Sequence, residues 1–177
     1  LEDQGNPRRC GPRDGKTVVG TDTMVRRVRA AVTARRDDDF VVCARTDAAA
    51  VEGLDSAIDR AKAYVDAGAD MVFPEAMRGP ADLEAFRRAV DVPLLVNMTE
   101  FGKSELLTVQ QLESLGMNMV IYPVTALRLA MGAVEDGLRS LREEGTQVGS
   151  VDRMQTRKRL YELLDYPAYN TFDNGIH

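Results

Sequence analysis

Three groups of residues carry the chemistry this sequence can offer. The first is the opening segment Leu1-Glu2-Asp3-Gln4-Gly5-Asn6-Pro7-Arg8-Arg9-Cys10-Gly11-Pro12, where a cysteine follows two arginines in a loop rich in glycine and proline. Adjacent cations favour the thiolate, the reactive form of cysteine. An ordinary surface turn with an incidental thiol would read the same way. The second is Arg45-Thr46-Asp47, directly after an apolar run. An arginine there can grip a carboxylate through a two-pronged pair of hydrogen bonds. The same residues can equally close on themselves as a structural Arg–Asp pair. The third is Glu75 with Asn97 and Thr99, each just past a further apolar run. A carboxylate with two neutral hydrogen-bonding groups can orient a polyacid, although each alone is the kind of residue that caps a strand end.

What is missing narrows the chemistry further. The single histidine is His177, the last residue, so the usual general base and the usual zinc ligand are absent from the body of the chain. A Ser-His-Asp hydrolase or a zinc protease is therefore a poor reading. Cys43 lies inside an apolar run and is expected to be an inert core residue. The net charge is −5, which argues against nucleic acid as a partner, because a phosphate-binding face needs a basic surplus. No apolar run approaches the ~20 residues of a membrane span, and the opening residues lack the basic and apolar regions of a signal peptide. Two cysteines do not make a disulfide framework. These features predict a protein of the reducing cytoplasm, with no membrane partner.

The elements that must position these groups read as repeated βα units. Four continuous apolar runs are predicted as parallel strands buried on both faces: residues 40–44, 71–73, 93–96 and 119–122. A helical pattern follows each. Leu54, Ile58, Ala61 and Val65 share one face before Gly68. Leu83, Phe86 and Val90 follow the second run, with Asp82 as candidate N-cap. Val109, Leu112 and Leu115 precede Gly116. A long helix spans about 125–143 and stops at Gly145. An earlier helix carries Met24, Val28, Ala31 and Val32 on one face, capped by Thr21 or Asp22. A last helix is predicted over 150–164, with an irregular tail after Pro167. Such a series fits a doubly wound sheet or part of a barrel. Polar groups follow several successive runs, which favours one barrel rim. No Gly-rich phosphate loop follows any run. A whole barrel takes roughly 250 residues, and the chain opens on Leu1, so the expectation is about half of one.

Several short motifs together resemble the isocitrate lyase and phosphoenolpyruvate mutase superfamily. Leu1-Glu2-Asp3-Gln4 followed by Arg8-Arg9-Cys10-Gly11 is similar to its signature loop, and Ala44-Arg45-Thr46-Asp47-Ala48 to a second motif. Phe73-Pro74-Glu75-Ala76 and Asn97-Met98-Thr99-Glu100-Phe101-Gly102 resemble the branch that cleaves 2-methylisocitrate. So do Glu144-Gly145-Thr146-Gln147 and Met154-Gln155-Thr156-Arg157. The family has histidine after Cys-Gly, where this chain has Pro12, leaving Arg8 and Arg9 as the nearby cations.

The resemblance implies an α/β fold, a (β/α)8 TIM barrel. Residues 1–149 would supply its C-terminal half, with the catalytic loop within 1–20. Residues 150–177 would be a C-terminal helix and tail exchanged between the subunits of a homotetramer. It implies cleavage of a tricarboxylate to pyruvate and succinate in propionate catabolism, dependent on Mg²⁺ or Mn²⁺. Cys10 would protonate the succinate carbanion, and Gly11 would touch substrate through its backbone. Arg45, Glu75, Asn97, Met98, Thr99, Arg128 and Arg157 would bind substrate. Glu2 would reach the metal ion through water, while the family's principal metal aspartates precede its Leu-Glu-Asp-Gln motif. The 177 residues alone are then expected to be inactive. Two other readings stay open: a different activity of the superfamily, such as isocitrate lyase or oxaloacetate hydrolase, and a catalytically inactive barrel portion.

Overall fold

A computed structural model describes residues 1–7 and 15–176. They form two compact units, Leu1–Thr125 and Ala126 onward.

In the first unit, short strands alternate with helices: α1 (Thr21–Ala34), β1 (Cys43–Thr46), α2 (Leu54–Asp66), β2 (Met71–Pro74), α3 (Pro80–Ala89), β3 (Leu95–Asn97), α4 (Val109–Ser114) and β4 (Met119–Ile121). β1 pairs in parallel with β2, and β3 with β4. A parallel bridge from Val72 to Leu94 joins the pairs, and another from Glu2 to Arg45 adds the opening segment beside β1. The spatial order follows the sequence, as expected of successive βα units. α1, α2 and α3 present their predicted apolar faces, while in α4 Leu112 is buried and Val109 is exposed. Gly68 ends the turn after α2 at φ 103°. A side chain there would meet both methyl groups of Val32 at 3.2 Å, so only glycine fits without strain.

Strand residues alternate between two environments. Val42, Ala44, Thr46, Val72, Leu94, Val96 and Met98 face the helices and are buried. Arg45, Leu95, Asn97 and Ile121 share the opposite face and are only partly covered. The structure fully buries one face; the other is the face that part of a barrel leaves without its opposite wall.

Other boundaries also differ from expectation. Phe40 and Val41 are 66% and 54% exposed and precede β1. Asp70 Oδ2 accepts the Val42 N–H and a bond from Arg35, both at 2.8 Å, and Arg35 also donates to the Phe40 carbonyl. These side-chain bonds clamp the approach to the strand, beside a backbone bond from the Asp70 N–H to the Val42 carbonyl at 3.0 Å. The N-cap of α1 is Gly20, so Thr21 and Asp22 lie inside its first turn. That of α3 is Gly79, with Pro80 opening the helix. Asp82 instead accepts the Arg78 N–H at 2.9 Å from within the first turn. Cys43 belongs to β1 and is partly buried. Burial pushes its thiol pKa up, which suits the expected inert role.

The second unit holds most of α5 (Thr125–Glu144), followed by a 3-10 turn over Val148–Arg153, α6 (Arg157–Leu163) and α7 (Tyr166–Asn174). The single helix expected over 150–164 is therefore broken, and the tail after Pro167 is helical. Thr156 restarts the chain by accepting the Arg159 N–H at 3.2 Å. Pro167 falls in the first turn of α7, where a missing N–H costs nothing. Tyr161 and Tyr166 stack at 4.5 Å across the α6–α7 joint. Along α5, Leu127, Met131, Val134, Leu138 and Leu141 form an exposed apolar stripe at helical spacing. No described helix is long and apolar enough to cross a membrane.

Candidate active site

The site is built at the C-terminal ends of β1, β2 and β3. The ladder sets its frame: Arg45 N–H bonds the Leu1 carbonyl at 2.7 Å, and Glu75 N–H bonds the Thr46 carbonyl at 3.0 Å. Arg45 lies opposite Phe73 in the register, and its guanidinium carbon sits 5.0 Å from that ring's centre.

Three carboxylates surround this guanidinium. Asp47 takes the fork, from Nε to Oδ2 at 2.8 Å and from NH2 to Oδ1 at 3.0 Å. Glu75 Oε2 stands 3.4 Å from NH2, and Glu2 Oε2 3.6 Å from Nε. The structural Arg–Asp pair considered from the sequence is thus formed. Arg45 NH1 has no hydrogen-bond partner among the described residues, so one edge of the fork remains for a ligand. Burial opposes the charge on Arg45, but the Asp47 bond and the fields of Glu75, Asp47 and Glu2 outweigh it and raise its pKa.

Asp47 is fully buried, and Lys16 Nζ also donates to its Oδ1, at 2.6 Å. Burial alone would push this carboxyl pKa up. The bonds from Arg45 and Lys16 prevail and hold it below the usual aspartate range. Beneath lies a second buried acid. Asp3 accepts Thr46 Oγ1 at 2.7 Å, Asp47 N–H at 2.9 Å and the Tyr64 hydroxyl at 2.8 Å, with Arg60 3.7 Å away. Burial raises the Tyr64 pKa and keeps its hydroxyl a donor. This network ties the opening segment to β1 and α2, and so fixes the backbone on which Glu2 and Asp47 stand.

Beside Glu75 a cavity of about 350 Å³ is bordered by Lys16, Glu75, Asn97 and Thr99, with Met77, Leu83, Val96, Met98 and Leu107 among its apolar walls. Thr99 Oγ1 donates to Asn97 Oδ1 at 2.5 Å, which leaves the Asn97 amide N–H groups for a ligand. Glu75 Oε2 is buried and, among the described residues, makes no hydrogen bond. Its contact with Arg45 is an ion pair outside hydrogen-bond geometry, so this oxygen is an available acceptor. Met98 lines the cavity and accepts the Leu107 N–H on sulfur at 3.3 Å.

The structure brings together Glu2, Arg45 and Glu75, and groups Glu75 with Asn97, Met98 and Thr99. Cys10 and Gly11 lie outside the described residues, as do Arg8, Arg9 and Pro12. Arg128, in the first turn of α5, and Arg157, opening α6 and bordering a shallow groove with Tyr161 and Pro167, belong to the second unit. Sequence reasoning missed Lys16, which follows Gly15 in a polar loop and carries no periodic signal, and the buried role of Asp3.

As for a metal ion, no group of three or more His, Cys, Asp or Glu side chains among the described residues is placed to hold one. Asp3 and Asp47 are committed to donors on the chain. Glu2, the other carboxylate of the opening segment, is ion-paired to Arg45 at 3.6 Å, and one carboxylate is an incomplete ligand set for any ion that keeps its waters.

A family described as phosphoenolpyruvate phosphomutase matches residues 1–142. The chain belongs to that family. A Corynebacterium glutamicum protein named "Probable 2-methylisocitrate lyase 2" is 66% identical over 176 residues, covering 99% of this chain and 57% of that one. The 2-methylisocitrate lyase of Escherichia coli K12 is 51% identical over 169 residues, covering 96% and 57%. Among solved structures, an oxaloacetate acetylhydrolase in complex with 3,3-difluorooxalacetate superposes with a TM-score of 0.89 at 37% identity, covering 99% of this chain and 60% of that one. A 2,3-dimethylmalate lyase, described as a PEP mutase/isocitrate lyase superfamily member, gives 0.88 at 32% identity, covering 99% and 59%. The chain therefore spans a little under three fifths of the curated relatives it matches. Its fold is part of the TIM barrel of this superfamily.

Proposed function

We propose that the full-length protein is a carbon–carbon lyase that cleaves 2-methylisocitrate to pyruvate and succinate. The observation that carries this is the Arg45 guanidinium, held by Asp47 with one edge free, next to a cavity bordered by Glu75, Asn97 and Thr99. That is a receptor for a carboxylate-rich small molecule, and the relatives of highest identity named above are 2-methylisocitrate lyases.

In this reading Arg45 NH1 binds a substrate carboxylate, and Glu75, Asn97 and Thr99 orient the hydroxyl and remaining oxygens. Arg128 and Arg157 contribute further positive charge to the polyanion. The substrate hydroxyl passes its proton to the Glu75 carboxylate, whose Oε2 makes no hydrogen bond among the described residues, as the adjacent C–C bond breaks. The bonding pair passes to the succinate half, and the oxygen becomes the pyruvate carbonyl. The Cys10 thiol returns a proton to the succinate carbon. Mg²⁺ or Mn²⁺, with Glu2 in its water shell, would supply positive charge for the oxygen that develops negative charge. A homotetramer in the cytoplasm, serving propionate catabolism, belongs to the same proposal.

The test is turnover by the full-length protein, with pyruvate and succinate both quantified. They should form in equal amounts with Mg²⁺ or Mn²⁺ present, and excess chelator should stop them. Undiminished turnover in chelator would refute the metal requirement, and no pyruvate at all would refute the lyase.

The structural likeness to an oxaloacetate acetylhydrolase supports a second reading. It requires oxalate and acetate from oxaloacetate under the same conditions.

A further inference from the structure

Lys16 is a lysine in an unusual place. Its side chain is 5% exposed, its partner Asp47 is fully buried, and the two meet at 2.6 Å. A lysine seldom gives up its hydration, and a buried ammonium needs a strong reason to be there. The Arg45 fork already satisfies both oxygens of Asp47. Asp47 therefore does not need Lys16 to avoid an unmet acceptor.

The charge count supplies the reason. Around Arg45 stand Glu2, Asp47 and Glu75, three carboxylates against one guanidinium. A carboxylate ligand entering beside Glu75 would be the fourth. Like charges at this range in a partly buried site repel strongly. Lys16 reduces the excess by one, and it does so from the wall of the same cavity. Its bond to Oδ1 also holds the Asp47 carboxylate in the plane that grips Arg45 Nε and NH2.

We propose that Lys16 is a positioning residue of this site: its ammonium, locked on Asp47, balances the carboxylates around Arg45 so that an anionic carboxylate ligand can occupy the adjoining cavity. The inference rests on the reading of this cavity as a carboxylate site. It does not depend on which carboxylate is cleaved. The charge matters, so arginine should substitute for Lys16 and glutamine should not, although glutamine can still donate a hydrogen bond to Asp47.

The experiment uses the full-length protein with Mg²⁺ present and oxalate, a minimal dicarboxylate, as probe. Calorimetric titration gives its Kd without reference to turnover. Lys16→Gln should raise the Kd roughly 10- to 100-fold, the worth of one charge-assisted contact. Lys16→Arg should stay within about threefold. Where 2-methylisocitrate is turned over, KM should rise in Lys16→Gln by a larger factor than kcat falls. A purely structural lysine would lower the melting temperature while leaving the oxalate Kd unchanged, and that result overturns the proposal. Equal losses in Lys16→Arg and Lys16→Gln also overturn it, as does a wild-type protein that binds no oxalate. If Lys16→Gln fails to fold, Lys16→Met, which keeps the length of the side chain without its charge, decides: its oxalate Kd should also rise roughly tenfold or more, and an unchanged Kd contradicts the account. Oxalate binding without lyase turnover would sink the lyase reading and leave the Lys16 inference standing.

Discussion

Replacing Asp3 with alanine should do more damage than any other single truncation around the site. Asp3 is fully buried and accepts three hydrogen bonds, from Thr46, Asp47 and Tyr64, with Arg60 as a more distant counter-charge. Asp3→Ala strands the three donors together and leaves Glu52, at 2.8 Å, as the charged partner of Arg60 among the described residues. A buried donor without an acceptor costs about 1–3 kcal/mol. Alanine opens space for water, so the lower part of that range applies to each. The sum is about 3–5 kcal/mol, which matches the usual loss when one member of a buried pair is removed. For a chain of about 150–250 residues that corresponds to a fall of roughly 6–20 °C in melting temperature, and to somewhat less in the longer full-length protein. Tyr64→Phe deletes two bonds of the same network, the one it donates to Asp3 and the longer one it accepts from Arg60 at 3.3 Å, and should cost about 1–2 kcal/mol, or roughly 2–8 °C on the same scale. The assay is thermal unfolding of the full-length proteins at one concentration, pH and salt. Asp3→Ala melting within about 2 °C of wild type would refute the reasoning. So would a Tyr64→Phe variant as damaged as Asp3→Ala.

Two further outcomes follow from the Arg45 cluster. Arg45→Lys replaces a two-pronged fork and a ring-stacked plane with a point charge. KM for the substrate should rise about 10- to 100-fold, as steady-state kinetics would read, and an unchanged KM would show that NH1 does not face the ligand. The pH dependence follows from Asp47, whose folded-state pKa lies below its unfolded value of about 3.9. A depressed carboxyl contributes stability that is complete above the unfolded pKa and is lost as pH falls through the folded one. Melting temperature should therefore drop more steeply below about pH 4 in wild type than in Asp47→Asn, and equal slopes would contradict the assignment.

The parts of this architecture that were legible in the sequence are those governed by period and punctuation. The apolar faces of α1 to α5 recur at helical spacing, and Gly68 and Gly116 mark real left-handed turns. Residues that follow a strand in sequence must emerge at its C-terminal end, so Arg45, Glu75, Asn97 and Thr99 converge once the strands run parallel. Less legible were features decided by side chains from distant segments. Phe40 and Val41 have strand-like composition, but Arg35 and Asp70 hold their neighbourhood in another conformation. Lys16 and Asp3 look like ordinary polar loop residues, and only the fold brings Asp47 and Tyr64 to them. The break between α6 and α7 depends on a left-handed Asp165 at φ 47°, for which the helical pattern gives no warning.

The most direct test of the central claim is a comparison of kcat/KM for 2-methylisocitrate, isocitrate and oxaloacetate on one preparation of the full-length protein with Mg²⁺. The account predicts that 2-methylisocitrate is preferred, that pyruvate and succinate appear together, and that Cys10→Ser lowers kcat by about 10²–10⁴-fold with a much smaller change in KM. A preference for oxaloacetate with oxalate as product, or a Cys10→Ser variant with near-normal turnover, would contradict it.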